Sequence, residues 1–131
     1  MNIEFITSKN KSADLITYKQ NKIDELNDLC NEIILSTFES PCLGITHVFS
    51  FGIDDQMNFS GMLGAISAGI APTTFTWKTE DAGVLTFDQS QFKQLFGDGL
   101  VFKQTNIYKY RDLKEQILSC TTQPQIDAIV W

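Results

Sequence analysis

The residues that could carry chemistry are few and scattered. His47 is the only histidine. A catalytic base or metal ligand needs Cys, Asp or Glu companions at ligand spacing, and His47 has no such cluster. It reads as a half-exposed strand residue. Asp54 and Asp55 are neighbouring carboxylates beside Gly52, a pairing that suits acid/base or metal work. Adjacent side chains at a helix start diverge, however, and no third ligand lies nearby, so they read as caps for free first-turn N–H groups. Glu80 and Asp81 fall in a turn between two strands and read as turn residues. Cys30, Cys42 and Cys120 are odd in number and lack CxxC spacing, which argues against a disulfide framework or a zinc site. Cys30 and Cys120 lie on apolar helix faces and pack as small hydrophobes, and a reducing compartment is expected.

Phosphate and acyl-transfer motifs fail on spacing. No G-x-G-x-x-G or G-x-x-x-x-G-K-[ST] loop runs through Gly52, Gly61, Gly64 and Gly69. Gly61-Met62-Leu63-Gly64 instead suggests close helix packing. Ser60 and Ser67 lack the G-x-S-x-G setting of an exposed nucleophile. Lys103, Lys109, Arg111 and Lys114 interleave with Tyr108 and Tyr110, a pattern seen where bases stack. Asp112 and Glu115 sit among them, so the segment reads as a surface helix with Tyr110 turned to the core. Ten Lys and Arg against sixteen Asp and Glu leave a net charge of −6, which excludes a nucleic-acid backbone as the main partner. No run approaches the roughly 18 apolar residues of a membrane span. The residues assign no catalytic group, no cofactor and no metal.

The elements around these residues are easier to read. A chain of 131 residues and 14.8 kDa is expected to form a single domain, 1–131, with a strand and long helix in 1–40 and an α+β core in 41–131. Met1 to Ile6 is apolar without a basic segment or small-residue cleavage site, and reads as a short strand rather than a signal peptide. A long helix is predicted from Ser12, as N-cap, to Phe38. Ile16, Ile23, Cys30 and Thr37 fall seven apart, with Leu26 and Ile33 between them. Pro41 ends it. The strand His47–Phe51 turns Phe49 and Phe51 to one face. A helix then runs from Asp54 to about Ala68, with Phe59, Met62, Leu63, Ile66 and Ile70 as its stripe. A hairpin pairs Thr74–Lys78 with Val84–Phe87, Phe75 and Trp77 facing inward and Gly83 at positive φ. Asp88 and Gln91 form a capping box for a helix that Gly97-Asp98-Gly99 kinks or interrupts. Helical spacing resumes through Tyr110, Leu113, Ile117 and Cys120, and a last short helix, about Gln123 to Ile129, docks Ile126, Ile129 and Trp131. The fold class is α+β: a long N-terminal helix, a small antiparallel sheet with a β-hairpin, and a long C-terminal helix packing on it.

Ten Phe, three Tyr and two Trp are many for this length. A surplus that the core cannot hold would mark a protein–protein surface. The candidate partner-binding residues are Ile16, Ile23, Leu26 and Ile33 along the first helix, which face either the C-terminal helix or a partner, together with Trp131. The same seam permits a homo-oligomer, although it is shorter than the roughly four heptads a coiled coil needs.

The run Cys42 to Phe51, followed by Asp54-Asp55-Gln56-Met57-Asn58-Phe59, resembles a small phage and prophage domain family of unknown function from the tail region, of the Firmicutes tail-fibre-associated type. The segment Trp77 to Gly83, the helix around Asn21 to Asn27 and the ending Ile126 to Trp131 extend the resemblance over about residues 15 to 131. It implies a non-enzymatic structural component of a phage tail or phage-tail-like particle, docking on a tail-fibre or baseplate protein. Such a protein is made in the host cytoplasm and then resides in the virion tail. The family carries over no catalytic residues. The alternative is a tail-fibre assembly chaperone that leaves before the particle is complete, and a third class is a hydrolase using Asp54, Asp55 and His47.

Overall fold

The computed structural model describes the backbone of residues 3–131 and the side chains from Asp14 onward. Helix α1 spans Ile3–Ile34, strands β1 and β2 span Thr37–Ser40 and His47–Ser50, and helix α2 spans Ile53–Ser67. Strands β3 and β4 span Thr74–Lys78 and Val84–Asp88, followed by α3 at Gln89–Ser119 and α4 at Gln123–Asp127. The class is α+β, with a helix at the N-terminus, two separate two-stranded antiparallel sheets and a long C-terminal helix. The chain divides into two compact units, one of residues 1–31 with 107–131 and the other of residues 32–106.

The bounds of the first helix differ from the sequence reading. Ile3 to Ile6 belong to α1 rather than to a strand, while Met1 and Asn2 lie outside the described residues. A helix satisfies its own backbone groups, whereas a lone strand leaves them without partners. Ser12 therefore falls inside α1 and is not its N-cap. The helix also stops at Ile34, not Phe38. Both the N–H and the hydroxyl of Ser36 donate to the Ile33 carbonyl, at 3.3 and 2.6 Å, and Thr37 and Phe38 then enter β1. Phe38 sits opposite Phe49 in the β1–β2 register. The seven-residue spacing reached Thr37, but pairing with β2 outweighs local helical preference there.

In the first unit, Ile23 and Leu26 of α1 pack with Leu113 and Ile117 of α3 and Ile126 of α4. Tyr18, Tyr110, Ile129 and Trp131 close the edges of this core. The Lys19 ammonium donates to the Leu118 carbonyl at 2.8 Å, while the Asp24 charge acts on Tyr110, so the two helical segments run antiparallel. Thr122 caps α4 by accepting from the Gln125 N–H at 3.3 Å, with Gln125 accepting in return from the Thr122 N–H.

In the second unit the core is a network of rings. Phe38 lies against Phe49, Phe51, Phe59 and Phe102, and Phe59 continues to Trp77 and Phe92. Phe49 meets Phe87 edge-on at 6.1 Å, joining the two sheets. As the Asp88 and Gln91 pattern predicts, the two exchange bonds of 2.9 and 2.7 Å at the start of α3. Of the two expectations for Gly97-Asp98-Gly99, a kink or an interruption, the interruption does not occur: α3 continues through Gly97 and Gly99. Gly99 packs closely on two rings: a Cβ there would meet Phe38 Cζ at 3.1 Å and Phe51 Cε1 at 3.2 Å, so the rings would have to shift. Burying those two rings, at about 1.5–3 kcal/mol each, more than offsets the roughly 1 kcal/mol that each glycine costs the helix. Close packing thus falls at Gly99 and not at Gly61 or Gly64, which are exposed and would have open space around a Cβ.

Candidate functional site

Beside the ring network the second unit holds a groove of about 640 Å³, within the size range of ligand pockets. Helix α2 supplies one wall through Asp55, Met57, Asn58, Gly61, Met62 and Ala65. Strand β3 supplies the other through Thr76, Trp77 and Lys78, and Ser50 of β2 stands at one end. Trp77 is half-buried because Phe59 and Phe92 hold its ring, with centroids 5.0 and 4.9 Å away, so it is a fixed part of the wall. Met57 is 67% exposed, a flexible apolar side chain at the groove's mouth.

A clamp holds the turn after β3 against β2. One oxygen of the Asp81 carboxylate accepts from the Val48 N–H at 2.9 Å, and the other lies 3.0 Å from His47 Nδ1. A carboxylate only accepts, so Nδ1 carries the proton. The Glu80 N–H donates to the Val48 carbonyl at 2.7 Å, and the Ser50 hydroxyl donates to the Glu80 carboxylate. The bond from Val48 is the main reason that the Asp81 carboxyl is held below its ordinary value, and His47 adds to it. Inside the turn, buried Thr79 donates its hydroxyl to the Gly83 carbonyl at 2.8 Å and accepts from the Ala82 N–H at 2.9 Å. Gly83 takes the expected positive φ of 71°.

Several of the chemistry-bearing residues are committed to structure. Asp55 accepts from the Gly52 N–H at 2.9 Å and caps α2, as its position at the helix start predicts. Asp54 is exposed in the same first turn. Glu80 and Asp81 do lie in a turn, but they also bridge to residues some thirty positions earlier, which no local pattern announces. Burial pushes the Cys30 and Cys42 thiols up, away from the nucleophilic thiolate. Near Cys42, the buried Ser40 hydroxyl donates to Asp98 at 2.5 Å and accepts from the Cys42 N–H at 3.2 Å. Among the described residues no three His, Cys, Asp or Glu side chains gather as a metal-binding group.

The five candidate partner-binding residues do not form one surface. Ile23 and Leu26 are buried in the first unit's core, so the C-terminal segment, not an outside partner, takes that face. Trp131 packs at the edge of the same core, with the Lys109 ammonium 4.8 Å above its ring. Ile33 is half-buried, and Ile16 alone of the five is exposed, at 67%. The basic–aromatic segment is likewise engaged within the chain. Arg111 lies over Tyr108, Lys103 donates to Gln56 Oε1 at 2.7 Å, and Tyr110 packs on the core as expected. Nor do the rings mark a surface: among the described residues only Tyr108 is an exposed aromatic. No helix among the described residues is long and apolar enough to cross a membrane.

The groove was not read from the sequence as a site, although a signal for it existed. Ser50, then Asp55, Met57 and Asn58, then Trp77 and Lys78 come from three separate segments, each part of the motif pattern that carried the resemblance. No curated protein and no solved structure matches the chain. Residues 17–130 match the family described as Domain of unknown function (DUF4376), a span that includes both walls of the groove, and the chain belongs to that family.

Proposed function

We propose that this protein is a non-enzymatic structural component of a phage tail or phage-tail-like particle, and that its groove docks a tail-fibre or baseplate protein. The observation that carries the reading is the meeting of the three resemblance-bearing segments at one groove. The association with tails comes from the resemblance, and the groove supports the docking part of the reading. Asp55, Glu80 and Asp81 each hold a cap or the clamp in place, which supports a structural part for the carboxylates nearest the groove. Expression in the host cytoplasm and residence in the tail follow from this role.

Mass spectrometry of purified particles tests it. The protein is expected at a fixed ratio to the fibre or baseplate subunit, and Gly61→Trp, which fills the groove from its exposed wall, is expected to deplete it from particles. Absence of the wild-type protein from finished particles overturns the structural role. Absence from particles combined with a fibre that is insoluble without the protein assigns the assembly-chaperone role instead.

A further inference from the structure

A single backbone bond joins β2 to the turn that follows β3, and the strands themselves do not pair. The Thr79 N–H donates to the Gly83 carbonyl at 2.8 Å, which sets the phase of the β3–β4 ladder. Phase alternates in an antiparallel pair, so Phe75 and Trp77 turn their peptide groups to β4, while Thr74, Thr76 and Lys78 turn theirs away. In the other sheet the Phe51 N–H donates to the Ser36 carbonyl at 3.0 Å, and the same rule turns Val48 and Ser50 outward from β1. Val48 is met by Glu80 and Asp81. The next rung of that register would join Ser50 to Lys78. Among the described residues no backbone hydrogen bond makes it, and both residues instead line the groove. The two sheets stay separate there, and the outward edge of β3 borders the groove whose other wall is α2.

We infer that an extended, cation-bearing segment of a partner protein enters this groove and adds as a strand to the outward edge of β3. Unpaired strand edges are a liability that proteins normally cover or charge. Here the edge faces a walled groove in which main-chain bonds give affinity and side-chain contacts give selectivity. The five residues of β3 offer about 16 Å of edge. Trp77, Met57 and Met62 form the apolar contacts for alternate side chains of the incoming segment. Charge favours a cationic one: residues 32–106 hold eight carboxylates against three lysines, −5 of the chain's −6, and at the groove Lys78 stands against both Asp55 and Glu80. Asp55 lines the groove, and Glu80 lies beside it on Ser50. The inference rests on the docking role proposed above and supplies its binding mode.

The test titrates a capped peptide of alternating Lys and Val into the isotope-labelled full-length protein. Amide shifts are expected at Ser50, Thr76 and Lys78, and not at Val84 and Thr86 on the opposite edge of the hairpin. Replacing Lys by Glu in the peptide is expected to weaken binding at least about tenfold, as is N-methylation of alternate peptide amides in the phase that faces β3. Thr76→Pro is expected to weaken binding about tenfold while the hairpin's own amide signals persist, because the Thr76 N–H is outside the β3–β4 ladder. The inference is overturned by no binding at millimolar peptide, by shifts spread over the acidic surface, or by N-methylated peptides that bind as well as the parent. Gly61→Trp separates the two levels. If it depletes the protein from particles while Thr76→Pro has no effect, docking at the groove stands and strand addition falls.

Discussion

Asp81 shows how one side chain can join two segments that the chain keeps far apart. Its turn position was legible from Glu80-Asp81-Ala82-Gly83, but its bonds to Val48 and His47 depend on where the hairpin comes to rest. Because the Asp81 carboxyl is held below 3.8 in the folded protein, the unfolded chain takes up a proton first as the pH falls. The clamp's contribution is therefore complete above about pH 5 and is lost as the pH drops through the depressed folded value. Urea midpoints measured across this range should fall for the wild type, and Asp81→Ala should flatten that fall. An equal fall in the variant assigns the acid sensitivity to other carboxylates. At the same scale, Asp55 was legible as a cap because capping is local: its donor, the Gly52 N–H, is three residues away.

At the scale of elements, glycine spacing proved a poor guide and ring packing a good one. Gly97 has open space where a Cβ would stand, whereas Gly99 has Phe38 and Phe51. Gly97→Ala should therefore stabilise the protein by about 0.5–1 kcal/mol through helix propensity. Gly99→Val should destabilise it by about 1–3 kcal/mol through overpacking. Denaturant unfolding of both variants checks the pair, and equal effects would place neither glycine against the rings. The seam of α1 divides in the same way. Ile23→Ala should cost about 2–5 kcal/mol, since the residue is buried in the first unit's core. Ile16→Ala should stay within about 0.5 kcal/mol, since Ile16 is exposed. The heptad spacing of Ile16, Ile23 and Ile33 gave all three one rank, and only contact with Leu113, Ile117 and Ile126 tells them apart.

For the whole molecule, the two compact units call for separate probes. Ile117→Ala and Phe49→Ala each remove a fully buried side chain, one from each unit, with expected losses of about 2–5 and 3–5 kcal/mol. Hydrogen exchange should show protection falling first around the substituted unit in each case, and uniform loss across the chain would mean that both units open together. Light scattering of the Ile16→Glu variant tests self-association through the one exposed seam residue. A wild-type oligomer that this change dissociates places the interface there, and an unchanged mass places it elsewhere.

The amino-acid sequence by itself determined the α+β class, the Thr74–Phe87 hairpin, the Asp88–Gln91 cap and the terminal docking of Ile126. These rest on alternation, turn chemistry and capping, all of which act within a few residues. It also carried the three segments that meet at the groove, but not their meeting. Tertiary structure alone decided that Phe38 is a strand residue, that α3 runs unbroken past Gly99, and that Ser50 and Lys78 line one groove. Each of these depends on residues of different elements, Phe38 with Phe49 or Gly99 with Phe38 and Phe51, where the free energy of a tertiary contact exceeds local preference.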